Sequence, residues 1–127
     1  MSKFSGLVLA LAIAACATPA PRCSCAPFPS ARAQIDTAEV IFVGTVIRTD
    51  VLNPQRLRTE FTVVEEIKGH VPQTVGIEHP AQGCRIDYNV GDQTWVFANT
   101  TNGALSTSLC MAPQFTEDEY RQALGHP

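Results

Sequence analysis

Five cysteines, Cys16, Cys23, Cys25, Cys84 and Cys110, constrain this chain more than any other feature. What they do depends on the compartment, and the N-terminus speaks to that. Lys3 gives a short positive start, and Gly6 to Ala15 is a run of Leu, Val, Ile, Ala and Gly. Roughly ten apolar residues are too few to span a hydrocarbon core of ~30 Å as a helix. They have the length and order of a secretory signal, so residues 1–15 are expected to be a signal peptide. Outside the cytosol cysteines pair. With Cys16 set aside, four remain, enough for two disulfides. Cys23 and Cys25 are one residue apart, and a bridge between them would be strained. Two pairings stay open: Cys23–Cys84 with Cys25–Cys110, or the reverse. Either closes loops of more than fifty residues. Chain-entropy estimates then reach ~4 kcal/mol per bridge, which counts in a domain whose core alone is marginal.

Metal binding is the other use of such residues. Cys-x-Cys with two distant cysteines, or His70 and His79, offers donors for zinc or copper. The spacing differs from the Cys-x2-Cys of ordinary zinc folds, and export favours disulfides. No metal of the protein's own and no cofactor are expected.

Ile13-Ala14-Ala15-Cys16 resembles the bacterial lipobox. The resemblance implies that Cys16 receives a lipid and becomes the new N-terminus, anchoring an extracytoplasmic lipoprotein at the periplasmic or outer cell surface. Ordinary cleavage near Ala14 or Ala15, with a soluble product, is the competing reading. Each buried lipid methylene contributes ~0.8 kcal/mol, and stable anchoring takes more than one acyl chain. Residues 16–22 then read as a lipidated tether, whose Pro19 and Pro21 disfavour helix and strand alike.

The chain of 127 residues suits one domain, expected over residues 23–127. Its formal net charge is -3, and its arginines are scattered rather than clustered. Nucleic acid, which demands a basic face, is excluded as a partner.

Along the domain, Ser30 is a candidate cap for a short helix from Ala31 to Ile35, ending near Asp36. Ala38 to Thr49 is apolar on both parities, as in a strand buried on both faces. Gly44 at its middle suggests a bend or bulge. Asn53-Pro54 marks a turn. Leu57 to Lys68 forms a second strand, where Val64 breaks the alternation and hints at a bulge. Thr74 to Glu78 is a short third strand, and His79 to Asp92 a loop. Gln93 to Ala98 is the fourth strand, Asn102-Gly103 a hairpin turn, and Ala104 to Leu109 the fifth strand. Thr116 with Glu119 forms a capping box that opens a terminal helix. The expected fold is mainly β: a small five-stranded OB-like barrel with one short N-terminal and one C-terminal helix, stapled by two disulfides.

Cys23-Ser24-Cys25-Ala26-Pro27 resembles the Cys-x-Cys-x-Pro start of tissue inhibitors of metalloproteinases and the wider netrin-like domains. The ordered matches continue through Ile41-Phe42-Val43-Gly44-Thr45-Val46, Phe61-Thr62-Val63, Lys68-Gly69, Cys84, Gly91, Trp95-Val96-Phe97-Ala98 and Cys110. They cover Cys23 to about Pro113. The resemblance implies an OB-like barrel, with Cys23 paired to Cys84 and Cys25 to Cys110. The family's third bridge in this domain has no cysteines here. Family members inhibit zinc proteases through an N-terminal edge. The α-amine and carbonyl of the first cysteine chelate the catalytic zinc, and the next side chain enters the specificity pocket. Cys23, Ser24 and Cys25 occupy that edge.

Chelation needs a nitrogen lone pair. In a mature chain that starts at Cys16, the Cys23 nitrogen lies inside the Arg22–Cys23 peptide bond, where its lone pair is delocalised. A cut after Arg22 would free it. Two functions follow from these residues. The first is a non-enzymatic protein-binding module of the cell envelope, membrane-held through Cys16. The alternative is a metalloprotease inhibitor, in which Cys23 would ligate a target protease's zinc and Ser24 would fill its pocket.

Nothing else points to catalysis. No nucleophile-elbow, metalloprotease or phosphate-loop motif occurs. His70 and His79 read as solvated turn histidines. Asp87 and Asp92 are separated by turn residues and do not form an acid/base pair. Glu60, Glu65 and Glu66 read as a solvent-facing decoration, and Phe61, Trp95 and Phe97 as core.

Overall fold

A computed structural model describes residues 23–125. Residues 1–22, where the signal peptide and the tether with Cys16 and Arg22 are expected, and residues 126–127 lie outside the described residues. The chain runs through a short helix α1 (Ala31–Thr37) and strands β1 (Val40–Asn53), β2 (Arg56–Lys68), β3 (Thr74–Pro80), β4 (Gln93–Thr101) and β5 (Ala104–Ser106). A 3-10 turn (Leu109–Met111) and a terminal helix α2 (Glu117–Ala123) follow. The pairings close in a ring in the order β1-β2-β3-β5-β4. This is the five-stranded OB-like barrel that the strand pattern leads one to expect.

Local sequence accounts for the elements. The Ser30 hydroxyl accepts from the Ala33 N–H and opens α1. At α2, Thr116 accepts from the Glu119 N–H while Glu119 accepts from the Thr116 N–H, the expected reciprocal box. Asn102 and Gly103 take φ of 51° and 81°, as a two-residue hairpin turn requires. Gly69 ends β2 with φ 71°, and a Cβ there would fall 2.8 Å from the Glu39 carbonyl oxygen.

β1 and β2 form a long antiparallel hairpin whose register shifts between Val43 and Gly44, opposite Glu65 and Val63. Val64 is the extra residue, so the break in alternation is the bulge. Bulges sharpen twist and let so few strands curl shut. At Gly44 a Cβ would meet the Phe42 ring at 2.8 Å and the Phe61 Cβ at 3.1 Å. The ring's narrowest join is β3 to β5, a parallel contact through one residue pair, Glu78 and Ser106.

The double-sided burial of β1 has a simple origin. Val40, Phe42 and Val46 face the barrel interior with Phe61, Val75, Ile77, Val96 and Ala98. Ile41 faces outward, where Phe97, Ala31, Ile35 and Tyr120 form a second core under the helices. Trp95 stacks on Tyr120 at 5.2 Å, and the Arg121 guanidinium covers the Trp95 ring at 5.3 Å. Arg121 also grips Glu65 of β2 with two nitrogens, fixing α2 to the sheet.

Three sequence expectations are corrected. β1 runs to Asn53 rather than Thr49. The loop after β3 does not begin at His79, since His79 and Pro80 belong to the strand and pair with Leu57 and Arg56. β5 ends at Ser106, because Leu109 N–H bonds to the Cys84 carbonyl instead and the chain turns into the 3-10 helix.

Candidate functional site

The N-terminal edge is the first candidate. Cys23 is bonded to Cys84 and Cys25 to Cys110. Of the two pairings left open by spacing, this is the one implied by the netrin-like resemblance. Ser24, between the two anchors, is exposed. The four sulfurs form one cluster: Cys23 Sγ lies 3.3 Å from Cys25 Sγ and 3.5 Å from Cys110 Sγ. The edge is therefore tied to the loop after β3 and to the 3-10 turn at neighbouring points. Bridges of this kind fit an oxidising compartment outside the cytosol. Among the described residues no helix is long and apolar enough to cross a membrane.

What positions the 3-10 turn is a buried amide. Gln34 of α1 is 1 % exposed. Its Nε2 donates to the carbonyls of Met111 and Ala112, at 3.2 and 3.0 Å. Its Oε1 accepts from the Tyr120 hydroxyl and from the Gln114 N–H. Tyr120 in turn accepts from the N–H groups of Gln114 and Phe115. Burial, only partly offset by these two N–H donors, pushes the Tyr120 hydroxyl's pKa up and keeps it a neutral donor. The Phe28 N–H reaches Gln114 Oε1 at 2.9 Å, holding the segment after Cys25 to the same hub. Sequence reasoning missed Gln34, since a glutamine in a short helix gives no sign that it is buried.

Beside the edge lies a groove of about 340 Å³, walled by Ile86, Tyr88, Trp95, Phe97 and Met111, with Asp92 among its polar residues. That is the lower range of pockets for small ligands or single side chains. Ile86 follows Cys84 by two residues and Met111 follows Cys110 by one, so the segments that anchor the edge through its disulfides also contribute walls to the groove. Three separated segments build the groove, which is why no local motif announced it.

The histidines divide. His70 is exposed, with Nδ1 3.7 Å from Glu66, as the turn reading expects. His79 is fully buried, which overturns its reading as a solvated turn residue. It follows Val75 and Ile77 on the inward face of β3. Its Nε2 meets Thr59 Oγ1, which meets Thr49 Oγ1, each at 2.7 Å. The Tyr88 ring abuts it edge-on at 5.3 Å. Burial lowers the histidine's pKa. The Pro80 backbone opposes this, Arg85 and Arg56 add to it, and Asp87 opposes it weakly. Among the described residues, Nδ1 has no partner of hydrogen-bond geometry.

Asp87 pairs with Arg85 at 2.7 Å. Glu65 and Glu66 are exposed and Glu60 half-buried. Phe61 and Phe97 are core, while Trp95 is half-buried at the groove. The four cysteines are also, among the described residues, the group whose donor atoms crowd together as metal ligands would. As disulfides they have no thiolate to offer. No family model matches this chain, and comparison with curated proteins yields no match.

Proposed function

We propose that this is a non-enzymatic protein-binding module of the cell envelope, held to the membrane through lipid on Cys16. It presents the Cys23-Ser24-Cys25 edge and the adjoining groove to a protein partner. One observation carries the reading: exposed Ser24 is held between two disulfides that tie it to two other segments. A recognition edge ordered in advance loses little conformational entropy on binding. The groove has apolar walls and two carboxylates, Asp87 and Asp92, a combination that suits a partner's side chain. The likeness to netrin-like domains supports the same face.

The placement of Ser24 also favours the inhibitor reading, in which Cys23 becomes the N-terminus, its amine ligates a protease zinc, and Ser24 enters the pocket. The intact mass of the mature protein from its native membrane fraction separates the two. A mass beginning at lipidated Cys16, less four hydrogens for the two bridges, supports the anchored module. A mass beginning at unmodified Cys23 favours the inhibitor. A photo-crosslinking residue at Ser24 should capture a discrete envelope protein in living cells, and one at exposed Asp118 should not. Equal labelling from both positions counts against an edge-directed partner.

A further inference from the structure

We propose that the sulfur cluster is a convertible clamp: two disulfides when oxidised, and a tetrathiolate site for one divalent d10 metal ion, zinc in the first instance, when reduced. This does not depend on the binding partner proposed above. A zinc ion bound by four sulfurs at about 2.3 Å spaces them about 3.8 Å apart. The non-bonded separations already approach that spacing. Three of the four are 3.3 Å for Cys23–Cys25, 3.5 Å for Cys23–Cys110 and 3.7 Å for Cys84–Cys110, and the fourth, Cys25–Cys84, lies within 4.8 Å. Only the two bonded pairs have to part.

The frame under the sulfurs has supports besides the disulfides. The Leu109 N–H bonds to the Cys84 carbonyl at 2.8 Å, joining the segments that carry Cys84 and Cys110. The Phe28–Gln114 bond and the Gln34 hub hold the Cys25 segment and the 3-10 turn. Reduction thus leaves four thiols near one another instead of scattering them. All-sulfur donors select soft or borderline ions over calcium and magnesium.

The chemistry balances with a dithiol as reductant. Each disulfide takes two electrons and two protons from one dithiol, which leaves as its own disulfide. The four thiols then release their protons to solvent as a divalent ion binds, and the filled site has a net charge of −2. The clamp on Ser24 is restored by coordination in place of covalent bonds.

The test uses the mature domain, reduced anaerobically with a phosphine that leaves no competing thiol, then titrated with cobalt(II). The expected result is one cobalt per chain, with the thiolate charge-transfer band and the visible bands of a tetrahedral site, both displaced by zinc. Cys84→Ser should lose about a quarter of the charge-transfer intensity, three sulfurs in place of four, and His70→Ala should lose none. The oxidised protein should bind no cobalt. Near-UV dichroism of Trp95 reports the fold throughout. A reduced chain that keeps its dichroism yet shows no charge-transfer band overturns the proposal. So does one that unfolds on reduction and is not refolded by zinc.

Discussion

The imidazole of His79 meets the hydroxyl of Thr59 on the inward face of the barrel, Nε2 to Oγ1 at 2.7 Å. Because burial lowers its pKa, the folded state prefers the neutral ring. The unfolded chain, with a histidine near 6.5, therefore binds the proton more readily. His79 contributes stability above that value, and the contribution fades as pH falls through it toward the lower folded value. Urea midpoints taken from about pH 7.5 to about pH 5 should decline. His79→Leu should flatten that part of the profile, while His70→Ala should leave the decline in place. An unchanged decline in His79→Leu would show that other groups govern it.

Gln34→Ala is expected to destabilise the domain by about 2–3 kcal/mol, since it strands two part-buried carbonyls and the buried Tyr120 hydroxyl. Denaturant unfolding measures the loss. Amide exchange should quicken first around the 3-10 turn, which Gln34 holds.

Each disulfide can be removed as a pair. The bridges join residues 61 and 85 positions apart, and loop entropy assigns each about 4–4.5 kcal/mol. Cys23→Ser with Cys84→Ser, and Cys25→Ser with Cys110→Ser, should lower the unfolding midpoint by comparable amounts. A loss well below about 1 kcal/mol would mean that the unfolded chain is already constrained.

Gly69→Ala should cost about 1–3 kcal/mol, as its left-handed backbone and the nearby Glu39 carbonyl disfavour a Cβ. Gly103→Ala shares the positive φ but has open space around it. The cheaper outcome is therefore expected at Gly103. Thermal midpoints of the two variants decide the order.

Features set by neighbouring residues were legible from the sequence. The Ser30 cap, the Thr116 box, the Asn102-Gly103 turn and the bulge at Val64 each follow from a few side chains acting locally. His79 was misread although Val75, Ile77 and His79 keep a period of two. The following proline and the polar ring suggested a strand end, and tertiary burial overrode both. The shortness of β5 comes from a bond between Leu109 and Cys84, distant in sequence. Of the candidate site, Cys23, Ser24 and Cys25 were visible as a motif. The groove and the Gln34 hub exist only once separate segments meet.

The single-pair join between Glu78 and Ser106 gives the closed ring a seam. Beyond that pair, the Thr107 N–H to Glu78 carbonyl bond, at 2.9 Å, also ties β3 to the chain after β5. Parting there uncovers two strand margins at once while the larger β1–β2 hairpin stays whole. A ring joined this narrowly has the fewest ladder bonds to lose at that seam, so local opening is expected there first, read as the fastest amide exchange in the sheet.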